Sequence, residues 1–252
     1  MKAVILAGGL GTRLAPYTTV LPKSLMPLGN CPLLEVIIRQ LRAHEFTDIW
    51  LAVGYLSHLL EAYFGDGERF GVRIRYSFEE QPLGTAGPLT LIPGLDEPFL
   101  TMNGDVLTDL DYGELYRYHA AQGAALTVSM FSKKIKIDLG VLELNAASEV
   151  TDYIEKPTFA YPVSMGIYMF SPQVVRLLPR QKRVNLPDVV HLLLDRGEKV
   201  AGYLFKGQWL DIGRPEDYAQ AQSLCREAEA AYSMPFAVPA PEGAAVAGAA
   251  GR

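Results

Sequence analysis

The stretch AVILAGGLGTR at residues 3–13 determines how the rest of the chain is interpreted. Its first five residues are apolar and typical of a buried strand, and three glycines follow within four positions. Glycine lacks a Cβ atom, so consecutive backbone N–H groups can converge on phosphate oxygens. Arg13 adds a planar fork that suits phosphate, and Lys23, within PKSLMP at 22–27, adds a compact positive charge. The stretch predicts a strand that ends in a polyphosphate-binding loop.

Two common phosphate motifs are excluded by their spacing. A Walker loop has glycine immediately before Lys-Ser, whereas Pro22 precedes Lys23 here. A dinucleotide fingerprint needs a third glycine where Leu14 stands. For the glycines alone, a plain turn that ends the strand stays open as an alternative. The arginine and the lysine favour phosphate binding.

Strand and helix patterns alternate through the first half of the chain. Hydrophobic periodicity predicts a helix over 32–44, a strand over 48–54, a short helix over 56–64, an edge-type strand over 72–78 and a strand over 98–103. This alternation is typical of a doubly wound sheet that binds ligands at the carboxyl ends of its strands. We predict one α/β domain over residues 1–226, with a Rossmann-like, doubly wound, mixed but mostly parallel sheet.

The second half is richer in strands with short connections. The patterns predict helices over 110–122, 172–178, 186–196 and 215–226, and strands over 125–131, 138–144, 150–155, 163–170, 199–205 and 208–212. From residue 233 the composition falls to Ala, Gly, Pro and Val, with few large apolar groups. We expect residues 233–252 to be a disordered tail.

Composition limits the partners and the compartment. The 252-residue chain carries a formal charge of -5, so a nucleic-acid partner is not expected. No apolar run approaches a membrane span, and the N-terminus lacks the pattern of a signal peptide. The two cysteines are far apart in sequence and fit no zinc or disulfide framework. We expect a cytoplasmic protein with no membrane partner; its oligomeric state, including a homo-oligomer, is left open.

Four later stretches place polar groups at the ends of predicted strands. In EQPLGTAG at 80–87, Gln81 offers an amide to a base edge and Gly84 allows a base to lie close to the backbone. Asp105, in NGD at 103–105, and Asp211, in WLDIG at 209–213, could jointly hold Mg²⁺. EKP at 155–157 pairs a carboxylate with a cation. Each stretch alone also fits a turn, a helix cap or an exposed ion pair.

Taken together and in this order, the loop and the four stretches resemble the motifs of the sugar-1-phosphate nucleotidylyltransferases, the nucleotide-sugar pyrophosphorylases. The resemblance spans residues 1 to about 226. It implies that a sugar 1-phosphate attacks the α-phosphorus of a nucleoside triphosphate and releases pyrophosphate, with Mg²⁺ as cofactor. Catalysis would then consist of positioning and charge neutralisation.

The resemblance also implies a role for each matched residue. Arg13 would stabilise the leaving pyrophosphate and Lys23 the charge that develops at the α-phosphate; both are expected to be catalytic. The other assignments are nucleotide binding by Leu6, Ala7, Gly8, Gly9, Gly11, Thr12, Arg13, Gln81, Gly84 and Thr85, sugar-phosphate binding by Gly140, Glu155, Lys156 and Ser164, and metal binding by Asp105 and Asp211.

The substrates are less well defined than the reaction. Where many relatives have Asn-Ala-Gly, this chain has Ser164, Met165 and Gly166, which shortens one polar group and adds bulk near the sugar. The PLGTAG form and the ending at 209–218 look most like guanylyltransferases that act on mannose 1-phosphate, which favours GTP. UTP, dTTP or CTP with glucose 1-phosphate or another sugar is the alternative.

Two other functions compete with this interpretation. Asp109 and Asp111 form the D-x-D pair that nucleotide-sugar-dependent glycosyltransferases use for metal, although we interpret Asp109 as a helix cap and Asp111 as a first-turn acid. A catalytically silent regulatory homologue is the other rival. Such a homologue would be expected to lack loop or metal residues, and this chain keeps them.

Overall fold

The computed structural model describes residues 1–230, with side chains through residue 226. The predicted tail at 233–252 lies outside the described residues. The strands are β1 (Lys2–Leu6), β2 (Pro27–Leu28), β3 (Cys31–Pro32), β4 (Asp48–Val53), β5 (Arg73–Phe78), β6 (Phe99–Asn103), β7 (Val106–Thr108), β8 (Leu126–Lys136), β9 (Val141–Leu144), β10 (Val150–Ile154), β11 (Thr158–Phe170), β12 (Val200–Phe205) and β13 (Trp209–Asp211). The α-helices are α1 (Leu33–Ala43), α2 (Ser57–Phe64), α3 (Tyr112–Gln122), α4 (Gln173–Leu177), α5 (Leu186–Asp195) and α6 (Pro215–Ala230).

A seven-stranded sheet in the order β12-β8-β11-β6-β1-β4-β5 forms the centre of the fold. Four of its six neighbouring pairs are parallel, and β11 runs antiparallel to both β6 and β8. The sheet is therefore mixed and mostly parallel, as predicted. The strand predicted to be of the edge type, β5, is indeed at one edge.

Both faces of the sheet are covered. Along β1, Ile5 packs into a core with α1, α2, α3 and α6, whereas its neighbour Val4 packs into a second core with α4 and α5. Successive side chains of a strand point to opposite faces, so an apolar run such as 3–6 needs cover on both sides. On the second face, the rings of Phe99 and Phe170 stack with centroids 5.4 Å apart. This two-sided burial confirms the doubly wound architecture.

Other features of the strands were not predicted. The strands β8 and β11 extend beyond the predicted ranges 125–131 and 163–170, and they form a long antiparallel arm that is paired out to Lys136 and Thr158. The short strand β7 was missed; it pairs antiparallel with β13. The arm is largely exposed, so its composition lacks the apolar pattern of a buried strand.

Candidate active site

The glycine loop lies at the carboxyl end of β1, between β4 and β6. The strand order brings the ends of these strands together, since Ala7 N–H donates to Ala52 O at 2.8 Å and Gly104 N–H donates to Leu6 O at 2.9 Å. The loop turns into a single 3-10 turn at Thr12–Leu14, and the Thr18 hydroxyl donates to Gly11 O at 2.8 Å. The loop is thus held firmly beside the strand end that carries Asp105.

A cavity of about 320 Å³ opens beside this loop. We call it the loop cavity; its walls are formed by residues 9–14 together with Leu6, Ala7, Lys23, Ser24, Gly104, Asp105 and Gly213. It contains both cations that the sequence predicted, Arg13 and Lys23. The Arg13 guanidinium lies against Gly213, because a Cβ atom there would come 3.4 Å from Arg13 Nη1.

Lys23 and Asp105 form an ion pair inside the loop cavity. Lys23 Nζ donates to Asp105 Oδ2, and the two side chains are 12% and 25% exposed. The other carboxylate oxygen, Oδ1, is buried and has no hydrogen-bond partner among the described residues. A buried acceptor without a donor is costly, so this oxygen is available to a cation or another donor.

Asp211 is brought to Asp105 by the ladder between β7 and β13. Asp211 pairs with Val106, and Ile212 N–H donates to Asp105 O at 3.0 Å. Desolvation by the surrounding protein raises the pKa of the Asp211 carboxyl, the Asp105 carboxylate raises it further, and the Lys23 and Arg13 cations partly offset this. The four predicted charged residues therefore interact with one another.

The described residues contain no cluster of three or more His, Cys, Asp or Glu side chains that could hold a metal by itself. Two carboxylates are nevertheless compatible with Mg²⁺, which usually keeps waters and binds through one or two carboxylates plus substrate phosphates. The free Oδ1 of Asp105 fits such a role.

A second cavity, of about 560 Å³, adjoins the first. We call it the side cavity; its walls include Gly8, Tyr55, Glu79, Gly84, Thr85 and Arg183. Leu6, Gly9, Leu10 and Asp105 line both cavities. Volumes of this size suit small-molecule ligands, and the shared wall would let one ligand extend from one cavity into the other.

The stretch 80–87 is positioned by the segment that precedes α5. Gly84 has a positive φ of 79°, and a Cβ atom there would lie 2.5 Å from Val184 O. The Thr85 hydroxyl accepts a hydrogen bond from Leu186 N–H at 2.8 Å. The absence of a side chain at Gly84 thus makes room for the backbone of Val184. The sequence had predicted a different reason for this glycine, namely room for a base.

Gln81, the predicted base-binding residue, is not at the side cavity, and Glu79 is there instead. Gln81 is exposed and does not line either cavity, whereas Glu79, which the sequence analysis overlooked, lines the side cavity. Asp105 was found because it follows a buried strand, and the same rule identifies Glu79, which follows β5 directly. Arg183 was also overlooked, and its segment carried no strand-end signal.

The predicted sugar-phosphate residues do not line the two cavities. Three of them group around Tyr153: its ring packs on Gly140, its hydroxyl donates to Glu155 Oε2 at 3.0 Å, and Glu155 pairs with Lys156 at 3.7 Å.

Ser164, the fourth predicted sugar-phosphate residue, stands apart from that group. One hydrogen bond joins its Oγ to the hydroxyl oxygen of Tyr168, at 2.7 Å. Met165 is only 1% exposed and packs into the core, so its bulk does not face a ligand.

Asp109 and Asp111, the D-x-D pair, accept backbone hydrogen bonds outside the two cavities. The Asp109 carboxylate accepts from Gln208 N–H at 2.5 Å, and neither aspartate lines the two cavities. Asp111, rather than Asp109, is the N-cap of α3, since its carboxylate accepts from Glu114 N–H at 2.8 Å. The assumed roles of the two residues were therefore wrong. Nothing in their contacts favours the metal site of a glycosyltransferase.

The fold is a doubly wound α/β sheet with a cavity beside its glycine loop, and comparison with known proteins specifies the family. The profile described as Nucleotidyl transferase matches residues 2–228. The chain therefore belongs to the nucleotidyl transferase family.

Named relatives and a solved structure agree with this placement. The chain is 34% identical over 241 residues to the UTP–glucose-1-phosphate uridylyltransferase of Synechocystis sp., covering 88% of this chain and 62% of that protein. It is 34% identical over 233 residues to the mannose-1-phosphate guanyltransferase of Candida albicans, covering 89% of this chain and 64% of that protein. The chain thus spans less than two thirds of these relatives' length.

The solved structure is that of a Bacillus anthracis protein assigned as a glucose-1-phosphate thymidylyltransferase, in complex with a sucrose. It superposes with a TM-score of 0.72 at 26% identity, covering 90% of this chain and 96% of that chain.

In the part of the chain that the structure describes, no helix is long and apolar enough to cross a membrane.

Proposed function

We propose that the protein is a sugar-1-phosphate nucleotidylyltransferase. A phosphate oxygen of the sugar 1-phosphate attacks the α-phosphorus of a nucleoside triphosphate, the bond from that phosphorus to the oxygen bridging to the β-phosphorus breaks, and pyrophosphate leaves with the bonding electrons. The main support is that Arg13, Lys23 and Asp105 line the loop cavity and that the ladder between β7 and β13 brings Asp211 next to Asp105. The names of the relatives support the same reaction class.

The two cations act at different points of this reaction. The loop backbone and Arg13 hold the β- and γ-phosphates, so the guanidinium stabilises the charge on the departing pyrophosphate. Lys23 is more enclosed than Arg13, and it neutralises the charge that develops at the α-phosphate. The ion pair with Asp105 orients the Lys23 amine before substrate arrives.

Asp105 and Asp211 would hold the cofactor, Mg²⁺. When bound, this ion supplies charge neutralisation and orientation for the triphosphate. Oδ1 of Asp105 has no hydrogen-bond partner among the described residues, and desolvation together with the Asp105 carboxylate raises the pKa of Asp211. A divalent cation would satisfy this oxygen and relieve the repulsion between the two carboxylates. The sugar 1-phosphate is assigned to Gly140, Glu155, Lys156 and Ser164 from the resemblance of their motifs; the first three lie around Tyr153, outside the two cavities.

Pyrophosphate release tests the proposal. The purified chain with Mg²⁺ is assayed against GTP, UTP, dTTP, CTP and ATP, each combined with mannose 1-phosphate, glucose 1-phosphate and other sugar 1-phosphates. We expect release that depends on both substrates with at least one pair. Absence of release with every pair would overturn the function. Asp105→Ala should abolish the release, and activity that survives this substitution would refute the metal assignment alone.

A further inference from the structure

Glu79 is a carboxylate held in a fixed position at the wall of the side cavity. It follows β5 directly, and its N–H donates to Val53 O at 3.2 Å, which places it at the carboxyl edge of the sheet. Its Oε2 accepts a hydrogen bond from Leu83 N–H at 2.8 Å. Its Oε1 lies beside the glycine loop, since a Cβ atom on Gly8 would come within 3.1 Å of it. The carboxylate is therefore oriented by the stretch 79–83 next to the phosphate-binding loop.

The Glu79 carboxylate accepts one hydrogen bond and has no ion-pair partner among the described residues. None of the ion pairs among the described residues includes Glu79, and Leu83 N–H is the donor that the structure gives it. Burial raises the pKa of the Glu79 carboxyl, and the hydrogen bond from Leu83 only partly offsets this. An ionised carboxylate has acceptor sites alone, about four lone pairs on its two oxygens. A ligand that brings N–H donors would satisfy it.

We infer that Glu79 is the residue that selects the base, and that it selects guanine by accepting hydrogen bonds from the N1–H and the 2-amino group. The inference rests on the proposed function: if the triphosphate occupies the loop cavity, the adjoining side cavity is the place for the base. The shared wall at Gly9 and Asp105 gives one nucleotide access to both cavities.

The hydrogen-bonding groups of the bases favour guanine as the ligand of Glu79. Guanine presents two adjacent N–H donors on one edge, which matches a carboxylate in a paired, charge-assisted contact. Uracil and thymine present one N–H between two carbonyl oxygens, which would face the carboxylate unfavourably. Adenine and cytosine present one amino donor next to a ring nitrogen acceptor. A site built around hydrogen bonds rejects a ligand that leaves its buried polar groups unpaired.

The surroundings of Glu79 are consistent with a purine. Arg183 lines the same cavity, and arginine is the side chain that most often binds O6 and N7 of guanine. The neighbouring carboxylate, Glu80, and the amide of Gln81 are exposed and line neither cavity. Glu80 is therefore a matched control: the same chemistry one residue away, without access to the base.

The experiment compares GTP with inosine triphosphate, which keeps N1–H and O6 and lacks only the 2-amino group. Dissociation constants are measured calorimetrically with Mg²⁺ for the wild-type chain, Glu79→Gln and Glu80→Gln. We expect the wild type to bind GTP roughly 10- to 100-fold more tightly than inosine triphosphate, as the loss of one charge-assisted hydrogen bond implies. Glu79→Gln should reduce this ratio to near one, and Glu80→Gln should retain it.

The outcomes separate this inference from the proposed function. Pyrophosphate release that favours UTP or dTTP over GTP, or equal wild-type affinity for GTP and inosine triphosphate, overturns the role of Glu79 and leaves the reaction intact. A Glu79→Gln variant that keeps the wild-type ratio also overturns it. Failure of every triphosphate to bind the wild type overturns the function and the inference together. The wild-type comparison decides the question even if Glu79→Gln does not fold.

Discussion

Replacement of Lys23 by alanine should affect stability and turnover by separate routes. The stability effect follows from Asp105, whose Oδ2 is paired with Lys23 and whose Oδ1 has no partner among the described residues. The substitution leaves both oxygens of a carboxylate that is only 25% exposed without a donor. Leaving a buried acceptor unsatisfied costs about 1–3 kcal/mol, so the free energy of unfolding should fall by about that amount.

The turnover effect follows from the position of the amine in the loop cavity. If Lys23 neutralises charge that develops in the transition state, its loss lowers kcat by about 10²–10³-fold, the usual effect of removing one such donor. The affinity for the nucleoside triphosphate should fall much less, because on the proposed function the loop backbone and Arg13 would still hold the phosphates.

Urea unfolding followed by circular dichroism measures the first effect, and pyrophosphate release together with triphosphate titration measures the second. Lys206→Ala, at an exposed lysine, is the control that removes the same side chain elsewhere. Adding Asp105→Asn to Lys23→Ala should recover part of the lost stability, since it removes the stranded charge. An unchanged free energy of unfolding would refute the ion-pair argument. Equal losses in kcat and affinity would make Lys23 a ground-state phosphate clamp.

Four further predictions rest on burial and geometry. Burial lowers the pKa of His119 from its ordinary 6.5, so the unfolded chain takes up a proton first as pH falls; the free energy of unfolding should decrease below about pH 6.5, and His119→Gln should flatten this slope in urea unfolding. Gly84→Ala should lower the unfolding free energy by at least about 2 kcal/mol because of the positive φ and the contact with backbone. Gly9→Ala, whose Cβ meets nothing within 4 Å, should unfold like the wild type and yet lose pyrophosphate release, since the methyl group enters the cavity. Asp211→Asn should raise stability at neutral pH by less than about 1 kcal/mol, because solvent screens the repulsion from Asp105, while pyrophosphate release is lost; a less stable variant would contradict the raised pKa.

The type and position of the elements with regularly spaced buried residues could be predicted from the sequence. The helix predicted over 32–44 is Leu33–Ala43, and the strand predicted over 98–103 is Phe99–Asn103. These elements have a buried face with regular periodicity, so their type and position follow from apolar spacing alone. The doubly wound sheet follows in turn from their alternation.

The missed features are those that depend on partners distant in sequence. Three residues of β7 carry no periodicity of their own, and they form a strand because β13 pairs with them. Gly84 was recognised as special, but the backbone of Val184 that requires it is 100 residues away. Glu79 differs, because it directly follows β5 and its position at a strand end can be predicted from the sequence alone.

The ladder between β7 and β13 also affects the order in which parts of the protein fold during synthesis. It joins residues 106–108 to residues 209–211, so the aspartate pair closes a loop of about a hundred residues. Contacts of such sequence separation form late, because the entropy of loop closure must be overcome first. During synthesis the glycine loop and Asp105 leave the ribosome well before Asp211. A nascent chain can therefore bury much of its sheet while its pair of carboxylates is still incomplete.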